Sequence, residues 1–373
     1  MDFAWSEQDD ELKKRAAEFA GTLGSAREFS REAWAACGDF GLLGSYVPEG
    51  EGGLGRSVLQ TIHMLVGFGA GCGDNGFSLA VNGQMWAVQE PVLTFGSEYQ
   101  KQKYLRPMCK GLLAGAHAMT EPDAGSDAFS LKTVAVAQDG GYLLNGKKIF
   151  IGLGPVCDVA LVFASTNPEL GQWGVSAFLV DASSDGFTAS PPNKKMGLQG
   201  SPAGTIELNN VFVPEQNRLG PEGAGVSIFN HSMEWERSFI FTSHVGAMER
   251  QLDACIEFAK SRKQFGQPIG QFQSVSNRIA DMRIRLETAR LMLYRAAWLK
   301  DQDLSSPMDS ALTKVHLSEA FLDSSLDSTK IHGGRGYFSE YGIEADLRDA
   351  TGGVIYSGTN DVQRQLIAKL LGV

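Results

Sequence analysis

The apolar period of this chain changes twice along its length, and no other feature limits its fold so tightly. Up to about residue 113, apolar residues recur at helical spacing. From about Ala114 they gather in short β-rich runs, and from about Gly225 long helical stripes return. With 373 residues the chain is too long for one ordinary domain. The pattern predicts an α+β multidomain protein. An N-terminal α-helical domain would span 1–113, a middle β domain (barrel or sandwich) 114–224, and a C-terminal α-helical bundle, four-helix in type, 225–373.

Local signals agree. Ser6 with Asp9 three residues on makes a capped helix start, Leu12, Ala16, Phe19, Ala20 and Leu23 keep the apolar stripe, and Gly24 ends it. Pro48, Gly50, Gly52, Gly53 and Gly55 crowd one loop, and further helices are expected over 59–70, 86–95 and 98–109. In the middle segment, 142–144 and 148–151 around Asn145-Gly146 predict a hairpin with a tight turn. The runs 159–163, 174–180 and 205–213 are further strands. Helices over 226–261, 274–301 and 308–332 follow, the second with a stripe of Leu286, Ala289, Arg290, Leu293 and Ala297.

Composition excludes several classes. A net charge of −10 argues against nucleic acid, whose binders carry basic patches. The five cysteines are widely spaced, form no CxxC and sit in no Cys/His cluster of metal spacing, so no metal is expected and a reducing, cytoplasmic setting is. Met1-Asp2-Phe3-Ala4-Trp5 lacks the basic and apolar regions of a leader, and no apolar run approaches the roughly 20 residues of a membrane span.

The run Met119-Thr120-Glu121-Pro122-Asp123-Ala124-Gly125-Ser126-Asp127 joins the first helical part to the β-rich part. It puts several side-chain and backbone donors on one turn, as a flat polar cofactor requires, although an ordinary Ser-rich surface turn has the same composition. No GxGxxG or Walker run precedes a helix, so a nucleotide held on those motifs is not expected. Three later runs bear on the same question: Arg262-Lys263-Gln264-Phe265-Gly266 followed by Gln273, Gly333-Gly334-Arg335-Gly336-Tyr337, and Ile355-Tyr356-Ser357-Gly358-Thr359-Asn360. An arginine fork suits a pyrophosphate, and glycines let backbone approach phosphates. Taken singly, the first two also describe a solvated helix end and a helix-ending turn.

Together these runs resemble the signatures of the acyl-CoA dehydrogenase flavoenzymes, and the α–β–α order fits their fold. The resemblance implies FAD, held by Met119, Thr120, Ser126, Phe150, Arg262, Phe265, Gln273, Gly333, Gly334, Thr359 and Asp361. In that family the Arg262, Phe265 and Gln273 equivalents reach the FAD of a neighbouring subunit, which implies a homo-oligomer, a tetramer by preference. Ser126, Arg237, Ser357 and Gly358 would face the substrate. Two positions depart from the pattern. Lys330 stands where the family has an acidic residue or glutamine, and Gly152 where a threonine usually touches the flavin.

Most of that family carry their catalytic glutamate at the Ser357 position, and a serine hydroxyl is no substitute for a carboxylate base near neutral pH. Some members carry it instead on a helix, in a Glu-Arg pair, and Glu236-Arg237 matches that pair. Spacing agrees independently, since Phe229, Met233, Glu236 and Ile240 share one helical face. A carboxylate on an apolar face is costly unless paired or functional, and burial raises its pKa as a base requires. A structural ion pair is the competing reading, and Glu234, on another face, is the weaker base.

The blocks 270–279 with 291–296 and 357–363, with Trp235-Glu236, are similar to the branch that oxidises prolyl thioesters on peptidyl carrier proteins, en route to pyrroles in bacterial secondary metabolism. That similarity implies α-proton abstraction and β-hydride transfer on an aminoacyl or short acyl thioester tethered to a peptidyl or acyl carrier protein. An electron acceptor such as electron-transfer flavoprotein would serve it. Two alternatives stand beside it: an acyl-CoA dehydrogenase for a short or branched acyl-CoA, and a flavin-binding assembly partner without catalysis.

Overall fold

The computed structural model describes residues 4–24 and 27–373; Met1–3, the start of the run read for a leader, and residues 25–26 lie outside the described residues. The first helix spans Glu7–Thr22, with the Ser6 side chain accepting from Asp9 N–H at 3.1 Å. A capping box of Ser57 and Gln60 starts the helix Val58–Gly71. The expected helices near 86–95 and 98–109 form, but each is widened. The segments Gln84–Gln89 and Lys101–Leu105 make π turns. Pro91 and Pro107 come one residue after these segments, behind Glu90 and Arg106. A proline inside a helix removes one i→i−4 bond and crowds the preceding turn, and a π turn ahead of it relieves both.

The β-rich segment forms one mixed sheet of β1 (Gly115–Ala118), β2 (Val134–Gln138), β3 (Gly141–Gly152), β4 (Val159–Ser165), β5 (Val175–Asp181), β6 (Phe187–Ala189), β7 (Ala203–Pro214) and β8 (Arg218–Leu219). The order is β6-β7-β3-β2-β4-β5-β8, with β1 branching off parallel to β4. It curls enough that the rings of Tyr142 on β3 and Phe178 on β5 stand 5.1 Å apart, although these strands do not pair. Every residue of β4 is buried, which explains its unbroken apolar sequence.

The hairpin expected at Asn145-Gly146 is not there. Those residues lie inside the single strand β3, and the turn falls at Asp139-Gly140, between Gln138 and its partner Gly141. Gly146 serves close approach, since a Cβ there would stand 2.2 Å from Thr133 Oγ1. Asn145 bonds across to Asn210, where β7 carries an extra residue and Asn210 takes a φ of +51°.

The expected helix 226–261 is two helices, Gly225–Phe239 and Thr242–Ser261. The break re-aims the second one against Val58–Gly71 at unusually close range. A Cβ on Gly246 would stand 2.0 Å from Val66 O, and one on Gly69 would stand 1.8 Å from Ser243 O. Gln273–Asp301 and Pro307–His332 pack beside it, with Leu286, Ala289, Leu293 and Ala297 buried, followed by Ile343–Gly353 and Asn360–Leu370. Arg290, on that same stripe, is held by Glu249 and Glu287. Among the described residues no helix is long and apolar enough to cross a membrane.

Candidate active site

A cavity of about 1070 Å³ opens where the N-terminal helices, the sheet and the C-terminal helices meet. Phe229, Met233, Glu236 and Ile240, the four residues that spacing put on one face, all line it. Met119, Thr120, Ser126, Phe150, Arg237, Ser357, Gly358 and Thr359 line it too. Nine of the expected site residues thus share one wall.

Glu236 is the carboxylate at the centre. Its side chain is open to the cavity but far from bulk solvent, and burial raises its pKa. The Ser357 hydroxyl donates to Glu236 Oε1, and this bond and the charges of Arg237 and Lys314 pull partly the other way. Arg237 Nε reaches Ser357 O at 3.4 Å. Ser357 and Gly358 both have left-handed backbone, with φ of +59° and +78°. A serine there is strained by about 1–3 kcal/mol. A Cβ at Gly358 would stand 2.6 Å from Gln363 Nε2. The strain aims Ser357 at Glu236. Glu234 turns elsewhere, bonded to Ser305 at 3.0 Å and paired with Lys300.

The 119–126 loop is tied from below by a pair that sequence reasoning did not single out. Lys148 and Glu121 are almost wholly buried, 2.8 Å apart. Lys148 Nζ also donates to Met119 O at 3.0 Å, while Glu121 accepts from Lys132 N–H at 2.6 Å and Thr133 N–H at 3.1 Å. Burial brings Lys148 down to about 8, and the Lys148 charge with these hydrogen bonds outweighs burial in holding Glu121 low. A signal existed: Tyr142, Leu144 and Lys148 alternate inward on β3, so a lysine stood in a core register. Beyond Lys148 the strand shifts register, Phe150 takes a φ of +58°, and its ring is 71% exposed at the cavity mouth. Gly152 leaves open space beside it, with no atom within 4 Å of where a Cβ would be. Hydroxyls at Thr120 and Ser126, an uncovered aromatic face and vacant room at Gly152 suit a flat, polar, ring-bearing cofactor.

His117 on β1 was also missed. It lines the cavity with Nε2 3.1 Å from Ser232 Oγ, and its ring lies 5.2 Å from Phe163. Burial first, then the Lys148 charge, lowers it to about 4.

Six expected residues lie off this wall. Asp361 is exposed on an adjoining shallow cleft with Glu319 and Arg364. Arg262, Phe265 and Gln273 are exposed around the hairpin of Lys263–Gln264 and Gln267–Pro268, and Gly333 and Gly334 are exposed beyond His332. The two groups occupy one end of the bundle, joined through Phe258, whose ring stacks on His332 at 4.5 Å and under Arg335 at 5.6 Å. Phe265 and Gly266 make the hairpin tip with φ of +49° and +80°, and Phe265 is 95% exposed.

Comparison with known proteins agrees with this architecture. The family models for the acyl-CoA dehydrogenase N-terminal, middle and C-terminal domains match residues 7–112, 116–211 and 223–372. The chain belongs to the acyl-CoA dehydrogenase family, a class of FAD-dependent oxidoreductases. Among its relatives is an L-prolyl-[peptidyl-carrier protein] dehydrogenase of Pseudomonas fluorescens, 43% identical over the full length of both chains. The crystal structure of the prolyl acyl carrier protein oxidase AnaB superposes with a TM-score of 0.97 at 42% identity, covering 99% of this chain and 100% of that one. The structure of PigA with FAD and proline superposes at 0.95 with 40% identity, covering 100% and 99%.

Proposed function

We propose that this protein is an FAD-dependent dehydrogenase of a prolyl or related aminoacyl thioester carried on a peptidyl or acyl carrier protein, in secondary-metabolite biosynthesis. The observation that carries the proposal is the placing of Glu236. It is a buried carboxylate on the cavity wall, bonded to a serine where most of the family carry their base, in a chain 43% identical to a prolyl-carrier dehydrogenase.

Glu236 takes the proton from the α carbon, and burial raises its pKa, the direction that strengthens a carboxylate as a base. Ser357 holds the carboxylate in place, and Arg237 holds the Ser357 backbone. The Ser357 and Gly358 amide N–H groups have no acceptor among the described residues, so they are free to donate to the thioester oxygen as charge develops on it. FAD supplies the acceptor for the β hydride. Met119, Thr120, Ser126, Phe150 and Thr359 hold it in this cavity. Arg262, Phe265, Gln273, Gly333, Gly334 and Asp361 serve the cofactor from the bundle end, the first three in a neighbouring subunit of a homotetramer. The exposed Phe265 tip supports that assembly, since so bare a ring favours a cover. Domain limits at 113/114 and 224/225 fit β1 beginning at Gly115 and the base helix at Gly225. Electron-transfer flavoprotein is the proposed acceptor, and five buried, unpaired cysteines support a reducing cytoplasm.

Mass spectrometry of carrier proteins loaded with different aminoacyl groups tests the substrate. Loss of two hydrogens, or more by repeated turnover, is expected on the prolyl carrier and slower turnover on prolyl-CoA. Faster oxidation of ordinary fatty acyl-CoAs would refute the carrier assignment.

A further inference from the structure

The deep wall of the cavity formed by Leu79, Ala80, Gly83, Ala87 and Val88 offers no free polar side chain, and neighbouring Gln84 uses both ends of its amide on Gly115 N–H at 2.6 Å and Met108 O at 3.4 Å. His117 is different. Its Nε2 meets Ser232 Oγ, but Nδ1 has no partner among the described residues. The ring is partly exposed although it lies far beneath the protein surface, so the space it meets is the cavity. A polar ring atom facing an apolar enclosure without a partner is unfavourable until a ligand supplies one.

Position narrows the ligand. Ser232 stands one helical turn before Glu236, a rise of about 6 Å. His117, bonded to Ser232 and lining the same cavity as Glu236, therefore borders the space beside a thioester whose α proton faces the base.

Building on the thioester dehydrogenase reading, we infer that His117 is a specificity-determining residue that reads the α-amino nitrogen of the aminoacyl group. Nδ1 accepts the amine N–H while Nε2–H donates to Ser232 Oγ. Burial and the Lys148 charge keep the ring neutral down to about pH 4, so Nδ1 is an acceptor throughout the working range. The rings of Phe163 and Phe229 hold the imidazole from its sides, at 5.2 and 6.0 Å. A carbocyclic or simple acyl group in the same place would leave Nδ1 unpaired, which sets aminoacyl substrates apart from acyl ones.

The test uses the holoenzyme and a carrier protein loaded either with proline or with cyclopentanecarboxylate, whose ring has CH2 in place of NH. His117→Phe should lower kcat/KM for the prolyl carrier by about 10–100-fold and leave the cyclopentanecarbonyl carrier within about twofold. His117→Asn, whose side-chain amide stands near the Nδ1 position, should recover part of the loss. Equal loss on both substrates, an unchanged preference for proline, or loss of bound FAD from both variants would overturn the assignment. Wild-type enzyme that oxidises neither carrier-bound group would instead refute the thioester reading beneath it.

Discussion

Replacing Glu236 by Gln removes the proposed base while preserving its shape and its hydrogen bond, because the amide oxygen can still accept from Ser357. General-base catalysis is worth about 10²–10⁴-fold, and the structure places this residue at the upper end. Among the described residues, no other carboxylate on the wall is free, and the one imidazole there is a weaker base. Glu121 is tied to Lys148 and Thr133, Ser357 is neutral, and His117 titrates near 4. Stopped-flow reduction of the bound flavin should therefore slow by about 10⁴-fold, with FAD content and substrate affinity kept. Stability should move the other way. Glu236 has its pKa raised in the folded state, so its contribution is fully present below the unfolded pKa and is lost as pH rises through the folded value. Ionising the buried carboxyl therefore costs wild type stability as pH rises, a loss the uncharged glutamine variant is spared, so the melting temperature of wild type should fall relative to the variant as pH is raised. A variant that reduces its flavin at the wild-type rate would rule out Glu236 as the base. A melting difference between the two that does not change with pH would show that the carboxylate is not desolvated as described.

The Ser357 bond lowers the Glu236 pKa, so Ser357→Ala should shift the acid limb of the kcat/KM profile to higher pH with a milder loss of rate. Because both side chains point at one place, Glu236→Gly with Ser357→Glu should restore part of the flavin reduction lost in Glu236→Gly alone. Lys148→Met leaves Glu121 buried without its cation and should cost about 3–5 kcal/mol in denaturant titration, and the double variant with Glu121→Gln should recover much of that. Phe265→Asp should dissociate the proposed oligomer in light scattering and weaken FAD retention, whereas a tetramer that keeps its FAD would remove the hairpin tip from the proposed interface.

Much of the fold could be read from the sequence because apolar period follows secondary structure directly. The face carrying Phe229, Met233, Glu236 and Ile240 is the plainest example. Its spacing alone set these four side chains toward a common wall, and the structure has all four there. The failures have local causes. Asn145-Gly146 has the composition of a turn, yet both residues serve a bulged pairing and a close approach to Thr133 that only the partner strands determine. The break at Ile240-Phe241 carries no proline or glycine, and it goes with the close Gly69–Gly246 approach to a helix some 180 residues earlier, which no local signal announces. His117 and Lys148 escaped notice because a lone histidine or lysine on a strand usually faces solvent, and their burial is a property of the assembled sheet.

The close approach of Gly69 and Gly246 bears on how substrate enters. Where carbonyl oxygens occupy the room a methyl group would need, two helices are locked in register and neither slides nor hinges against the other. These two helices belong to the N-terminal and C-terminal helical parts, the two sides between which the cavity opens. At this contact the two helical parts are therefore held together rather than free to part like a clamshell around a bulky guest. Its cavity is filled by threading from the mouth, like a needle into a sheath, which favours a reacting group at the tip of a long slender arm. For a group carried on such an arm, the product would leave by the same route, and turnover should follow how fast the tether finds and leaves the mouth rather than any swing of domains.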